Sequence, residues 1–332
     1  MPGIESVWTP ELNPADARAF DDFIGSARGG HFSQTRAWAR VEVANRPTDV
    51  RFFLARRGGC VVGAALVTRR KLPLGIGRFS ASALRGPVCD RPEDLSEVLE
   101  ALLGLVRRDG AVRFAVMPYW SDPEKNQVES VLRRMRFKDV QRPRSLHVRS
   151  LRVDLSALPW DDPFSGPEMR KVRHEIRRAE RAGGSARPGE RRDLQKIREW
   201  HEERLQLQGN RVPARGYFDA LGDHFLTPKE HGAFFVCERA GEPVSAVFVA
   251  RSGGLASYVI GDSDSQAVAF PKLVLPIASA IAWAKAEGLS QFDLGGISMR
   301  SHDDEKYARV ADFKRSFSRT EIEVVGRHAR WF

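Results

Sequence analysis

Apolar and polar positions alternate along 52–69 in the manner of a hairpin. Phe52-Phe53-Leu54-Ala55 and Val61-Val62-Gly63-Ala64-Ala65-Leu66-Val67 are two β-forming runs, and Gly58-Gly59 lies between them as a turn. Adding 182 to each number brings the pattern back without a gap. The stretch Phe234 to Arg251 matches Phe52 to Arg69 at eight of eighteen positions: Phe, Phe, Arg, Gly, Val, Ala, Val and Arg. A repeat at fixed spacing is read as a duplicated structural unit.

The period lengthens after each hairpin. From Asp94 to Arg108, the residues Leu95, Val98, Leu99, Leu102, Leu103 and Val106 form one helical stripe. Gly110 closes it, and Val112 to Val116 reads as a strand. From Pro271 to Glu287, Leu275, Ile277, Ala278, Ile281, Ala282 and Lys285 recur at the same period; Gly288 closes that helix, and Gln291 to Leu294 is the strand. Leu146 to Leu155 alternates as a strand, and Ser156 to Pro167 has the Pro, Asp and Gly content of a linker. Two more helices follow. Met169 to Gly183 places Met169, Val172, Ile176 and Ala179 on one face. Asp193 to Gly209 begins with Asp193 as N-cap and turns Leu194, Ile197, His201 and Leu205 inward.

Hairpin, helix, strand, twice over, is an α+β arrangement on mixed sheets. It is the central unit of N-acetyltransferase-like (GNAT) folds. The expected organisation is two such domains in tandem, at 1–150 and 151–318, with the tail 319–332 packing back on the first. A length of 332 residues suits two cores better than one.

Composition narrows the chemistry. Hydrophobic residues at 42% and charged residues at 29% fit folded, water-facing domains, and no apolar run is long enough for a membrane helix. Three cysteines without CxxC spacing favour a reducing compartment, and the cytoplasm is the expected location. No secretion signal is read in the first residues. The eight histidines show no HExxH or HxH pair; neither GxSxG nor GxxxxGK[ST] occurs. Neither a metal nor a resident cofactor is implied.

The net charge of +10 attracts polyanions. Much of it gathers in the helix at 169–183, where Arg170, Lys171, Arg173, Arg177, Arg178 and Arg181 meet only Glu175 and Glu180. This helix is the candidate nucleic-acid or phosphate contact surface, its alternative being a solvated face with local ion pairs. Gly295 and Gly296 follow the strand residues Phe292-Asp293-Leu294, where bare backbone can come close to a ligand. Lys314 stands out in a chain with ten lysines against 43 arginines, because a compact ammonium does a different job from a guanidinium.

FSQTRAWARVE (Phe32 to Glu42), RGPV (Arg85 to Val88), MRKVRHEIRRAERAG, the FFVCERAGEPVSAVFVA hairpin, SYVIG (Ser257 to Gly261), FDLGGI and DFKRSF occur in an order that resembles the Fem-type (FemABX) aminoacyltransferases. The resemblance spans nearly the whole chain. It implies tandem GNAT-like domains and transfer of an amino acid from aminoacyl-tRNA to an amine, with aminoacyl-tRNA as co-substrate. The acceptor would be a peptidoglycan precursor or an antibiotic or other secondary-metabolite amine. The absence of room for a coiled-coil arm between Asp193 and Tyr217 matches the compact members. By the same resemblance, Lys314 with Phe313 would be catalytic, and Tyr258 would line the acceptor channel. The family's Arg-x-x-x-Tyr acceptor contact falls at Arg211, Arg215 and Tyr217, with altered spacing. Trp38 heads the first motif, and at the place where compact relatives carry a diphosphate-binding Lys this chain has Glu42. A carboxylate there disfavours a diphosphate, which points toward a lipid-linked precursor, with peripheral membrane contact, or a small amine. The competing readings are an acyl-CoA N-acyltransferase, against which stands the lack of a pyrophosphate loop, and an inactive tRNA-binding module.

Overall fold

The computed structural model describes residues 3–46, 48–72, 77–140, 148–226, 231–267, 271–297 and 305–332. The chain divides into two compact units, Met1–Val148 with Ile322–Phe332, and Arg149–Glu321. The first contains β1 (Glu5–Thr9), α1 (Pro14–Ser26), α2 (Arg36–Asn45), β2 (Asp49–Arg57), β3 (Cys60–Lys71), β4 (Phe79–Ala83), β5 (Val88–Cys89), α3 (Leu95–Arg108), β6 (Ala111–Val116), α4 (Lys125–Arg134) and β7 (Lys138–Asp139). The second contains β8 (Arg149–Asp154), α5 (Arg170–Arg181), β9 (Gly184–Pro188), α6 (Leu194–Leu207), α7 (Gly216–Leu221), β10 (Gly232–Arg239), β11 (Glu242–Ser252), β12 (Leu255–Ser263), α8 (Val274–Ala286), β13 (Gln291–Ile297) and α9 (Glu305–Arg315). β14 (Thr320–Glu323) and β15 (His328–Trp331) end the chain. Among the described residues no helix is long and apolar enough to cross a membrane.

The duplication is visible in strand register. In the first hairpin Phe52 faces Leu66 and Phe53 faces Ala65, with a bulge between Ala55 and Arg56. In the second, Phe234 faces Phe248 and Phe235 faces Val247, with a bulge between Cys237 and Glu238. Each of these positions is displaced by 182 from its counterpart. β7 and β14 begin at Lys138 and Thr320, which are again 182 apart.

Both sheets share one strand order. The first runs β1-β2-β3-β4-β6-β15-β7 with β5 beside β3, and the second runs β9-β10-β11-β12-β13-β8-β14. In each, one central pair is parallel, β4 with β6 and β12 with β13. β15 follows the whole second unit in sequence, yet fills the place in the first sheet that β8 fills in the second. It pairs with β6 on one side and β7 on the other.

The stripe of α3 is fully inside, from Leu95 to Val106, and packs with Phe53, Phe114 and Val116. Burying a side chain of that size contributes roughly 1.5–3 kcal/mol. Met169, just before α5, and Val172, Ile176 and Ala179 on it pack on β-strand and α8 side chains. Three local readings need revision. α8 starts at Val274 rather than Pro271 and is buried on nearly every side, with Pro276, Ala280 and Ala284 inside as well. Its Lys285 is buried because the ammonium donates to Leu155 O at 2.9 Å. Asp193 does not cap the first turn of α6. Its carboxylate instead takes both arms of Arg187 at 2.7 and 2.9 Å and the amide of Glu190 at 2.8 Å. Finally, β13 continues through Gly295 and Gly296 to Ile297. The expected strand start at Leu146 and His147 lies outside the described residues.

Candidate active site

The second sheet opens between its two parallel strands. β12 and β13 pair only at Leu255–Gln291, Ala256–Phe292 and Ser257–Asp293, although both strands run on. Each is drawn away by a bulge toward its other neighbour. On β12 the register shifts next to Tyr258, against Phe248 and Val249 of β11. On β13 it shifts between Asp293 and Gly296, against β8. Past Ser257 the facing backbone edges therefore no longer pair with each other. The first sheet has no such gap, since β4 and β6 pair along the full length of β4 from Phe79 to Ala83.

Tyr258, Gly295, Gly296 and Lys314 meet where the strands part. Lys314 lies in the last turn of α9. Its Nζ donates to Gly296 O at 2.8 Å and stands 5.4 Å from the centre of the Tyr258 ring. Gly295 makes this approach possible. Its φ of 75° suits glycine, and a Cβ there would lie 3.3 Å from Tyr258 O and 3.5 Å from Lys314 Nζ. Asp293 fixes the bend by accepting the Gly295 amide at 2.7 Å and the Ser150 hydroxyl through Oδ1.

Burial pulls the Lys314 ammonium down to about 8, and the Asp293 carboxylate opposes the shift only in part. At neutral pH the cation still predominates roughly tenfold. Burial also pushes the Tyr258 phenol upward, with Asp262 adding to the effect and Arg204 opposing it. The phenol stays protonated at neutral pH. Counting back 182 positions from Lys314 reaches Leu132 in α4, which is fully buried. The first unit has a core leucine at the place where the second has its ammonium.

The other expected residues distribute as follows. Phe313 packs beside the core with its ring 5.5 Å from that of Phe317. Tyr217, in α7, is buried with its ring 5.3 Å from Phe218. Arg211 and Arg215 are exposed. On α5, Arg170, Lys171, Arg177 and Arg178 are exposed, and Arg178 is 3.4 Å from Glu175. Arg173 is partly buried and donates to Phe164 O and, at 2.6 Å, to Gly166 O. That arginine braces the approach to α5 rather than presenting charge. In the first unit, buried Trp38 donates its indole N–H to Glu42 at 3.1 Å. Burial pushes the Glu42 carboxyl above its usual range, against that hydrogen bond and Arg46.

One constellation that no sequence motif marks joins β12 and α6. Asp262 of β12 is buried and receives His201 Nδ1 at 2.6 Å. It also receives Arg204 through Nε and, at 3.2 Å, through Nη2. The available signal was His201 and Arg204 at i and i+3 on one face of α6.

The fold and its relatives agree. An acetyltransferase (GNAT) domain model matches residues 169–315. The chain is 25% identical over 310 residues, 90% of its length and 90% of the relative's, to the UDP-N-acetylmuramoylpentapeptide-lysine N(6)-alanyltransferase of Weissella viridescens. It is similar in fold to the crystal structure of FemX, with a TM-score of 0.81 at 15% identity over 99% of this chain and 97% of that one. A tandem GNAT protein from the clavulanic acid biosynthesis pathway matches with a TM-score of 0.57 at 11% identity, over 99% and 98% of the two chains. With two acetyltransferase-like units and a likeness over 90% of both chains to this alanyltransferase, the chain is similar to the Fem-type acyltransferases.

Proposed function

We propose that this protein transfers an amino acid from aminoacyl-tRNA to an amine of a peptidoglycan precursor, in the cytoplasm and without a resident cofactor. The observation that carries the reading is the parted pair β12–β13 with the Lys314 ammonium at its mouth. The alanyltransferase likeness supplies the substrate class.

In this reading the amine attacks the ester carbonyl of the charged tRNA. Negative charge builds on the carbonyl oxygen, and the buried ammonium of Lys314 stabilises it; such a donor is typically worth roughly 100- to 1000-fold in rate. Tyr258 and the Gly296 carbonyl hold the ammonium in place before the substrate arrives. The unpaired edges of β12 and β13 receive the peptide-like part of the substrates. The exposed cations of α5 meet RNA phosphates.

The test is incubation with a panel of radiolabelled aminoacyl-tRNAs and nucleotide-linked, lipid-linked and small amine acceptors. Label moving to a precursor amine, abolished by RNase pretreatment, is the expected result. No transfer from any charged tRNA overturns the reading, and micromolar CoA binding with acyl transfer would replace it with an acyl-CoA enzyme.

A further inference from the structure

We infer that His201, held by Asp262, is the group that takes the proton from the attacking amine. This rests on the aminoacyl-transfer reading and adds to it the missing base.

Asp262 has 2% of its side chain exposed, and both its oxygens are occupied by donors. A carboxylate only accepts, so the ring nitrogen 2.6 Å away carries a hydrogen. Arg204 Nη2 lies 3.0 Å from the same nitrogen, but both groups are donors and both converge on Asp262. The tautomer is thereby set, and the lone pair of the neutral ring is on Nε2. Arg204 neutralises Asp262, so the carboxylate orients the imidazole without needing it as a counter-charge. The ring is further held edge-on, 5.7 Å from Phe218. An imidazole with one nitrogen tied to a buried carboxylate and a basic nitrogen left over is built to accept a proton and return it.

Tyr258 ties this group to the parted strands. Its ring lies beneath Lys314 at one end. Its hydroxyl lies over Gly261, where a Cβ would be 1.8 Å away, and Gly261 directly precedes Asp262. The phenol also feels the charges of Asp262 and Arg204. One side chain therefore spans from the ammonium to the Asp262 cluster.

The step balances. The amine nitrogen bonds to the carbonyl carbon and gives one proton to His201 Nε2. The tetrahedral centre then collapses, the bond from carbon to the ribose oxygen breaks, and that oxygen receives the proton back. Amide and free tRNA hydroxyl are the products, with His201 neutral again.

The test uses His201→Ala in single-turnover transfer, with and without added imidazole. The variant leaves Asp262 paired with Arg204, and a thermal midpoint near that of the wild type checks this. The expected result is a loss of roughly 10²- to 10⁴-fold, part of which imidazole restores, with tRNA binding unchanged. His201→Gln, which can hydrogen-bond Asp262 but cannot take a proton, should lose the same rate. Either variant turning over like the wild type, or a loss that imidazole leaves untouched, overturns the assignment while the transfer reading stands. A wild-type protein that transfers nothing ends both.

Discussion

Lys314 Nζ stands 5.4 Å from the centre of the Tyr258 ring and donates to the carbonyl of Gly296. The ring face attracts the cation and the carbonyl fixes it, while burial works against its charge. Lys314→Ala should lower single-turnover rate by roughly 100- to 1000-fold and leave acceptor KM nearly unchanged. Equal losses in rate and acceptor binding would remove Lys314 from this role.

The lowered value for Lys314 sets a direction with pH. In the proposed transfer the ammonium is the form that would stabilise the oxyanion, and it disappears as pH rises through about 8. Transfer rate should therefore fall above that pH. Lys314→Arg, if it retains activity, should keep its rate into alkaline solution, because a guanidinium does not titrate there. A pH–rate profile of both proteins checks the point.

Tyr258 is seated on a glycine. A Cβ at Gly261 would lie 1.8 Å from its hydroxyl oxygen. Gly261→Ala should cost about 1–3 kcal/mol through overpacking and reduce transfer. Adding Tyr258→Ala should recover part of that stability. Chemical denaturation of the two single variants and the double variant measures the coupling, and strict additivity would show that Tyr258 is not seated there.

Arginines on α5 should separate by role. Charge reversal at the exposed Arg177 should flatten the salt dependence of tRNA binding. Arg173→Ala should mainly lower stability, since its guanidinium braces Phe164 and Gly166. Filter binding across a salt series, together with thermal melts, distinguishes them.

Deleting 328–332 should strip β6 of its antiparallel neighbour. Amide exchange at Ala111–Val116 should accelerate strongly, while that of β10 and β11 stays slow.

Periodicity made the repeated hairpins and the stripe of α3 legible, because side-chain alternation and helical spacing are local properties. The fixed offset extended that to the register, down to the bulge. The sequence pattern makes α8 look one-faced because small residues such as Ala280 and Ala284 carry little hydrophobic signal, although packing on several sides requires them. The parting of β12 from β13 could not be read, since it depends on bulges set by neighbouring strands. The partnership of His201 with Asp262 spans 61 positions and leaves no local pattern. Lys314 stands out in the sequence as a rare residue type, but its carbonyl anchor and its aromatic seat are tertiary.

The place of β15 has a consequence for how this chain comes into being. The first sheet lacks a strand between β6 and β7 until residues 328–331 arrive. On the ribosome the leading half must wait with an exposed edge while the trailing half is made. The leading half cannot complete its sheet until the trailing half has been made, and a leading fragment cut between them keeps that raw edge.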